Sequence, residues 1–162
     1  MAYTIRMEGM EELSGQLDKL GDKAQDVAAL ALYEGAGVVA DAVSQAVQGI
    51  ATAPFRYARG GRKRLPSPEE KAILTKARTG VAKFRKTGVS VQTSIGMQNA
   101  GYAQLGSKMK PIPLIANAIE SGTSFMIKQP LIRKAARTSE SRAAAVTEQG
   151  IESRIKELEL EG

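Results

Sequence analysis

Carboxylates, lysines and hydroxyls are the side chains available for chemistry in this chain of 162 residues, which contains no Cys and no His. The absence of both residues excludes disulfides, thiolate nucleophiles, zinc sites built from Cys and His, and imidazole base catalysis. Aromatic residues make up only 4% of the chain and Trp is absent, which disfavours stacking platforms for bases or sugars. Catalysis would therefore have to use carboxylates, with or without bound Mg²⁺.

Three groups of carboxylates lie close together in the sequence: Glu11 with Glu12, Glu69 with Glu70, and the C-terminal Glu157, Glu159 and Glu161. Adjacent residues on a helix point about 100° apart, so none of these groups converges on one point by itself. The run Ser67-Pro68-Glu69-Glu70 is instead typical of a helix start. The chain also lacks a phosphate-binding glycine loop and a nucleophile elbow. We therefore expect a non-enzyme with no catalytic residue, cofactor or metal.

Positive charge is concentrated in one segment. Residues 56–88 carry 11 basic and 2 acidic side chains, although the whole chain has a net charge of only +6. The stretch from 51 to 65 has no hydrophobic periodicity and predicts a mobile loop. We expect residues 56–64 of this loop to be poorly ordered in the isolated protein and to become ordered only in an assembly. Its candidate residues for contact with DNA or with a partner protein are Arg56, Arg59, Arg62, Lys63 and Arg64. Such a block favours a polyanion bound through its phosphates without base reading, and a merely solvated surface segment explains it equally well.

Hydrophobic spacing predicts the elements that must position these residues. In order, they are a strand at 2–7, helices at 10–20 and 23–48, a helix from 68 to about 78 with a candidate continuation to 84, a strand at 89–96 with a hairpin partner at 101–105, a helix at 114–120, and a helix at 131–158. The 23–48 helix has an Ala-, Val- and Gly-rich face, on which Gly35 and Gly37 mark a bend or a close contact.

The predicted fold class is α+β: a small antiparallel β-sheet packed by a long N-terminal helix and a long C-terminal helix. We expect a single domain over 1–162, with a basic loop and helix insertion at 56–88 and a charged, fraying C-terminal tail at 154–162. No apolar run approaches the roughly 18 residues of a membrane span. The N-terminus, MAYTIRME, does not resemble a leader. We therefore expect a soluble protein made in a cytoplasm.

One motif in the second half of the chain stands apart from this general pattern. It runs Ile119-Glu120-Ser121-Gly122-Thr123-Ser124 and then Gln129-Pro130-Leu131-Ile132-Arg133-Lys134-Ala135. We expect Gly122 to form a turn that a side chain would oppose, Thr123 or Ser124 to bond to nearby backbone, and Pro130 to preset the first turn of the last helix. Glu120 is interpreted as a charge on the rim of a subunit boundary. The residue types alone also fit an ordinary link between a loop and a helix.

The order of these features resembles the small tail-component family of long-tailed bacteriophages, the head–tail joining or tail-completion proteins. Two further stretches are similar to that family: the N-terminal Gly9-Met10-Glu11-Glu12-Leu13, and the end of the predicted strand at Thr93-Ser94-Ile95. The chain departs from the family at Leu131, where Phe is usual, and at Ser121, where an aromatic residue is usual.

The resemblance implies a structural virion protein of the phage neck. Such a protein forms a homo-oligomeric ring, commonly of six copies, that joins the portal and connector of the DNA-filled head to the tail tube. Its partners would be the connector or head-completion protein and the tail terminator or tail tube protein, with DNA passing through the centre and no membrane. The alternative is a small basic protein that binds nucleic acid non-specifically through residues 56–88, and a carboxylate–Mg²⁺ enzyme is the least supported possibility.

Overall fold

Two long helices and a small antiparallel sheet make up most of the structure, a computed structural model that describes residues 3–5, 21, 23–54, 63–87 and 90–160. The described elements are β1 (Tyr3–Ile5), α1 (Lys23–Gln48), α2 (Pro68–Ala77), β2 (Thr79–Val81), β3 (Arg85–Thr87), β4 (Ser90–Met97), β5 (Tyr102–Leu105), β6 (Lys108–Pro111), α3 (Ile112–Ser121) and α4 (Leu131–Leu160). The predicted α+β class, with a long helix from each half of the chain packed on the sheet, is confirmed.

Strand β4 is the centre of the main sheet and pairs antiparallel with β1, β2 and β3. Its sequence alternates as predicted, and Thr93 and Ile95 are the buried residues of its inner face. This face lies on α1, and because side chains alternate across a strand, Gln92 and Ser94 point to the other side of the sheet. The inner face contributes Ile95, which has no exposed surface, to the main hydrophobic core.

Strand β5 does not pair with β4, so the predicted hairpin is wrong. It pairs with β6 in a separate two-stranded sheet, with Leu105 opposite Lys108. The turn between them is Gly106-Ser107, and Gly106 has a φ of +65°. Two-residue hairpin turns need this left-handed backbone, which glycine adopts without strain. The Gly-Ser pair between two short runs was the overlooked hairpin signal.

Helices α1 and α4 pack along one another over most of their length. Their contact uses small residues: a Cβ added at Gly35 would lie 2.0 Å from Thr147 Oγ1 and 2.7 Å from the carbonyl oxygen of Ala143. A Cβ at Gly37 would meet nothing within 4 Å. The close contact expected on this helix is therefore confirmed at Gly35 and is absent at Gly37.

Helix α1 differs from the prediction that no apolar run is long enough to span a membrane. Its 26 residues are long and apolar enough to do so by length and composition alone. It is the one such helix among the described ranges, and half of its most apolar window is buried inside the structure. The buried half faces α4 and the sheet. Its apolar character therefore has a direct explanation in the packing of the fold.

Two predicted element boundaries also change. Helix α2 does not continue to residue 84: Arg78 takes a φ of +46°, and the chain then enters β2, whose Gly80 pairs with Gly96 of β4. The C-terminal helix does not fray at Arg154, because it is helical to Leu160 and Arg154 Nη2 lies 2.5 Å from Glu34 Oε1 on α1. The predicted helix at 10–20, the loop from 55 to 62 and residues 161–162 lie outside the described residues.

Replacing Gly35 with Ala should force α1 and α4 apart, since the new methyl group would overlap Thr147 and the Ala143 carbonyl. We expect a loss of about 1–3 kcal/mol in the free energy of unfolding, the usual range for an overpacked core. The matched control is Gly37→Ala on the same helix, which has open space and should raise stability by up to about 1 kcal/mol. Urea unfolding of both variants tests the contact, and equal stabilities would contradict it.

Candidate functional site

The carboxylate of Glu120 joins the end of α3 to the start of α4. Its side chain has no exposed surface. Oε2 accepts a hydrogen bond of 3.1 Å from the N–H of Ile132, and Oε1 accepts one of 2.8 Å from the N–H of Arg133. These are N–H groups of the first turn of α4, which have no partner inside the helix. The negative charge also lies at the positive end of the helix dipole.

Pro130 explains why a carboxylate from another element is needed here. It lies immediately before α4, which begins at Leu131 as the sequence predicts. Its carbonyl oxygen accepts the 3.3 Å bond from the N–H of Lys134 that begins the helical pattern. A helix-capping position is normally filled by Ser, Thr, Asp or Asn, whose side chain binds the free N–H groups. Proline has no such acceptor, and Glu120 takes over that role.

The interpretation of Glu120 as an exposed rim charge is therefore wrong. A charge available to a neighbouring subunit would have to reach the surface, whereas both oxygens of this carboxylate are used inside the chain. The guanidinium of Arg133 approaches from the solvent side, with its Nε 3.8 Å from Oε1 and its Nη2 donating to Ser121 Oγ at 3.0 Å. The sequence signal for this role is the absence of a capping side chain at Pro130.

The turn between α3 and α4 has the backbone that the sequence predicts. Gly122 has a φ of +75° and a ψ of 171°, a combination that only glycine adopts readily. A Cβ there would also lie 3.1 Å from the backbone nitrogen of Lys128. Thr123 Oγ1 accepts hydrogen bonds from the N–H groups of Phe125 at 3.2 Å and Met126 at 3.0 Å. The expected roles of Gly122 and Thr123 in the turn are thus confirmed.

Arg64, at the end of the predicted DNA-facing loop, is bound into this turn. Its N–H donates to the carbonyl oxygen of Phe125 at 2.7 Å, and its own carbonyl accepts from the N–H of Ile127 at 2.9 Å. The two segments thereby form a parallel β-bridge between Arg64 and Met126. Met126 is 4% exposed and belongs to the main core.

The guanidinium of Arg64 is occupied by a carboxylate. Nη1 and Nη2 donate to the two carboxylate oxygens of Glu70, each at 2.7 Å, in the bidentate geometry of a strong ion pair. The side chains are 18% and 5% exposed. The assignment of Arg64 to a polyanion or to the lumen of a ring is therefore wrong, because the charge is already neutralised inside the fold.

Glu70 also completes the helix start that the sequence predicts. Its N–H donates to Ser67 Oγ at 3.1 Å, and its Oε2 accepts from the N–H of Ser67 at 2.8 Å. With Pro68 at the first position of α2, the capping box is confirmed. Burial alone would raise the pKa of Glu70, but the hydrogen bonds from Arg64 and from the Ser67 backbone outweigh burial and lower that pKa below its ordinary value.

Two groups of candidate residues predicted separately thus meet in one structural unit. We call the paired segments 64–70 and 120–133 the junction. The junction contains Arg64 from the basic segment and all of Glu120, Gly122, Thr123 and Pro130 from the motif. Glu70 is the member missed as a functional partner, because the sequence explains it fully as a capping acid and gives no sign of its contact with Arg64.

The chemistry available to the junction is structural. Glu70 and Glu120 are each held by several donors and are not presented to a common cleft. Within the described ranges, no group of three or more acidic side chains could hold a metal ion. The arrangement fixes two helix starts and one turn, and through them the direction of α4.

The remaining basic residues of the segment are distributed over the surface. Those that are described and exposed are Lys63, Lys76, Arg78, Lys83 and Arg85. Lys86 forms an ion pair with Asp26 at the start of α1. Arg56, Arg59 and Arg62 lie outside the described residues. Among the described residues, exposed cations thus extend from Lys63 in the predicted loop through α2 to the region of β2 and β3.

Comparisons with known proteins supply no relative. No family model, no curated protein and no solved structure matches the chain.

Replacing Arg64 with Ala should leave the buried Glu70 carboxylate without its main partner. We expect the free energy of unfolding to fall by about 2–3 kcal/mol, because charged hydrogen bonds are lost and a buried charge is left unpaired. The adjacent Lys63→Ala is the matched control, since Lys63 is exposed and its loss should change stability by less than about 0.5 kcal/mol.

The pH dependence of the Arg64→Ala effect provides a second readout. Stabilisation from Glu70 is complete above its unfolded-state pKa of about 4.3 and is lost as the pH falls through its lower folded-state pKa. The difference between wild type and Arg64→Ala should therefore shrink in acid, and a constant difference would contradict the ion pair.

Replacing Glu120 with Gln should destabilise the isolated chain itself. Gln keeps one acceptor oxygen but turns an amide N–H₂ toward an N–H group of α4, so one capping bond is lost with the charge. We expect a loss of about 1–2 kcal/mol, as for removal of a helix cap. Glu140→Gln, the same substitution at an exposed site on α4, is the control and should be nearly neutral. Thermal unfolding of the purified variants checks this, and an unchanged midpoint for Glu120→Gln would argue against the cap.

Proposed function

We propose that this chain is a structural virion protein of the neck of a long-tailed phage, where copies of it form a ring that joins the head connector to the tail tube. The observation that carries the proposal is the junction. The residues that give the resemblance to head–tail joining proteins are Glu120, Gly122, Thr123 and Pro130. In the structure they form the turn and the helix cap that orient α4, the longest described helix. The residues that carry the resemblance are thus also the residues that build the turn between α3 and α4.

Exposed apolar side chains give independent support for protein partners. Among the described residues, large hydrophobic side chains are exposed in four separate parts of the chain. They are Leu30 and Tyr33 on α1, Phe84 between β2 and β3, Tyr102, Met109 and Leu114 around the β5–β6 hairpin, and Phe125 and Ile127 in the turn. Clusters of this kind mark interaction sites more often than free surface. A protein that contacts copies of itself and two different neighbours needs several such surfaces.

The exposed cations favour the second candidate function, non-specific binding of nucleic acid. Lys76, Arg78, Lys83 and Arg85 are all exposed. They could neutralise phosphates without reading bases. In a neck ring the same cations would line the DNA path or meet an acidic neighbour, so the two functions differ in whether the free chain binds DNA tightly.

The most direct experiment is to locate the chain in purified particles by reconstruction or labelling. The proposal requires density for it at the head–tail interface and a synthesis site in the host cytoplasm. Its absence from particles that nevertheless have joined heads and tails would overturn the proposal.

A charge-removal variant separates the two candidates. Under the neck proposal, a chain with Arg78, Lys83 and Arg85 replaced by Ala should show little change in its already weak DNA binding, and heads should fail to join tails. If the chain is a nucleic-acid-binding protein, the variant should instead lose affinity and reduce the salt slope by up to about 2.7. The matched control replaces Lys134, Arg137 and Arg142, exposed cations of α4. Tight, salt-dependent DNA binding together with normal particle assembly would favour the alternative.

A further inference from the structure

The residue that links α2 to β2 has a backbone conformation that favours glycine. Arg78 has a φ of +46° and a ψ of 128°, and it is the one non-glycine residue with a positive φ among those described. A side chain is disfavoured in this region, which glycine reaches without strain. Residues held in such conformations cluster at binding and switch sites. The local fold therefore does not explain why this position carries an arginine.

The guanidinium of Arg78 is exposed, and it has no hydrogen bond or ion pair within the described part of the chain. It lies at the end of an open groove along the exposed face of α2, with a volume of about 670 Å³. Cationic, small and aliphatic side chains line this groove: Pro68, Lys71, Ala72, Thr75, Lys76 and Arg78. Lys71 also donates to the carbonyl oxygen of Ile50 at 3.0 Å. None of the described acidic side chains is part of the lining.

The charge near Arg78 has one sign. Between Glu70 and Glu120 the chain contains eight basic residues and no acidic residue. Lys86 is neutralised by Asp26 on α1 and is not available to a partner. Three other cations close in sequence are exposed and have no ion pair within the described ranges: Lys76, Lys83 and Arg85. An anionic partner would therefore meet charges that this chain leaves unpaired.

The acidic residues nearest in the sequence are engaged elsewhere. Glu70 is buried and is bound by Arg64. Glu69 is exposed in the first turn of α2, where its Oε1 accepts a bond of 3.4 Å from the N–H of Gly106 in the β5–β6 turn. Neither carboxylate lines the groove, so the groove and its surroundings keep a net positive charge.

One edge of β2 has no partner among the described strands. Along its other edge, the N–H of Gln98 donates to the carbonyl oxygen of Arg78 at 2.9 Å, and the N–H of Ala82 donates to that of Ser94 at 2.8 Å. Bonded and non-bonded pairs alternate along an antiparallel ladder. The odd-numbered residues of β2 therefore direct their N–H and C=O groups away from β4.

Thr79 and Val81 are these outward-facing residues, and the edge ends shortly after them. Val81 and Arg85 are four positions apart, whereas their partners in β4, Ile95 and Gln92, are only three apart. The extra residue forms a β-bulge, which ends the regular pairing. Bulges and flanking cations oppose pairing between the same edges of two copies, since like charges would meet. The strand that fits this edge is therefore short and acidic.

We propose that Arg78, the groove along α2 and the free edge of β2 form one site, the Arg78 site, which binds an extended acidic segment of a different protein. The identification of that protein as a neighbour in the neck rests on the proposed function. The segment adds a short strand to β2 through the backbone groups of Thr79 and Val81, and its carboxylates bind Arg78 and Lys76.

A peptide fits the Arg78 site better than a nucleic acid does. The edge of β2 presents carbonyl oxygens as well as N–H groups, and a phosphate backbone has no donor for those oxygens. A peptide backbone carries both donors and acceptors. The described lining of the groove also has no aromatic side chain on which bases could stack.

Hydrogen exchange followed by NMR tests the site with a synthetic peptide of about eight residues in which Glu and Thr alternate, long enough for a short strand. The amide protons of Thr79 and Val81 should exchange quickly in the free chain and become protected when this peptide is added. The same peptide with every backbone amide N-methylated should give no protection, because it cannot donate to the carbonyl oxygens of the edge. A peptide in which Lys replaces Glu should not bind, because like charges repel.

The variant Arg78→Gly separates binding from folding. It should raise the thermal unfolding midpoint, because glycine suits the positive φ, and it should weaken binding of the Glu–Thr peptide roughly tenfold through the loss of a charged hydrogen bond. Arg78→Ala should weaken binding as much without raising the midpoint. Arg142→Ala, which removes an exposed cation of α4, is the control and should leave peptide binding unchanged.

Several results would overturn the Arg78 site. Equal protection by the N-methylated peptide would exclude strand addition, and unchanged peptide affinity in Arg78→Gly would exclude a role for that side chain. Protection of the same amides by a short DNA duplex, at a lower concentration than the peptide requires, would assign the surface to nucleic acid. No protection by the acidic peptide, in a chain that is found at the head–tail interface, would overturn the site and leave the neck function standing. Binding as expected by a chain absent from particles would leave the site standing and overturn the neck function.

Discussion

The buried carboxylate of Glu120 holds the first turn of α4, and the path of that 30-residue helix depends on it. A helix start that lacks a capping side chain has free N–H groups and a local positive potential. A buried carboxylate has the opposite need, because an unpaired buried charge is costly. The carboxylate and the free N–H groups satisfy each other only if the end of α3 lies beside the start of α4. The turn through Gly122 fixes that distance, and α4 then leaves in the direction that packs it along α1.

The same physical device appears a second time at α2, in a local form. Ser67 and Glu70 cap that helix from within its own first turn. The second oxygen of Glu70 is then used by Arg64, which pairs through its backbone with the turn before α4. Two helix starts far apart in sequence are thereby tied to one another through a single arginine. The charge of Arg64 consequently serves the fold, while the side chains of Lys76, Arg78, Lys83 and Arg85 are exposed to solvent.

The features that the sequence predicts well depend on contacts within a short stretch of chain. Residues close together in the sequence determine four of these features. They are the bounds of α1, the capping box at Ser67, the alternation of β4 and the positive-φ turn at Gly122. The features that it misses depend on which distant segment lies opposite. Nothing near residue 120 indicates that its carboxylate will be buried against α4, and nothing near residue 64 indicates a partner at Met126. The wrong prediction of a hairpin between β4 and β5 has a different cause. The Gly106-Ser107 turn that marks the β5–β6 hairpin is a local signal and could have been recognised in the sequence.

The small residues of α1 determine which of its faces is covered. An Ala-, Val- and Gly-rich helix face allows close approach by another helix. In this chain α4 occupies that face, where Gly35 lies against Thr147 and Gly150 lies against Ala31 and Glu34. The opposite face of α1 carries the exposed side chains of Leu30 and Tyr33. The pattern of small residues along α1 therefore decides which face packs inside the fold and which apolar side chains remain outside it.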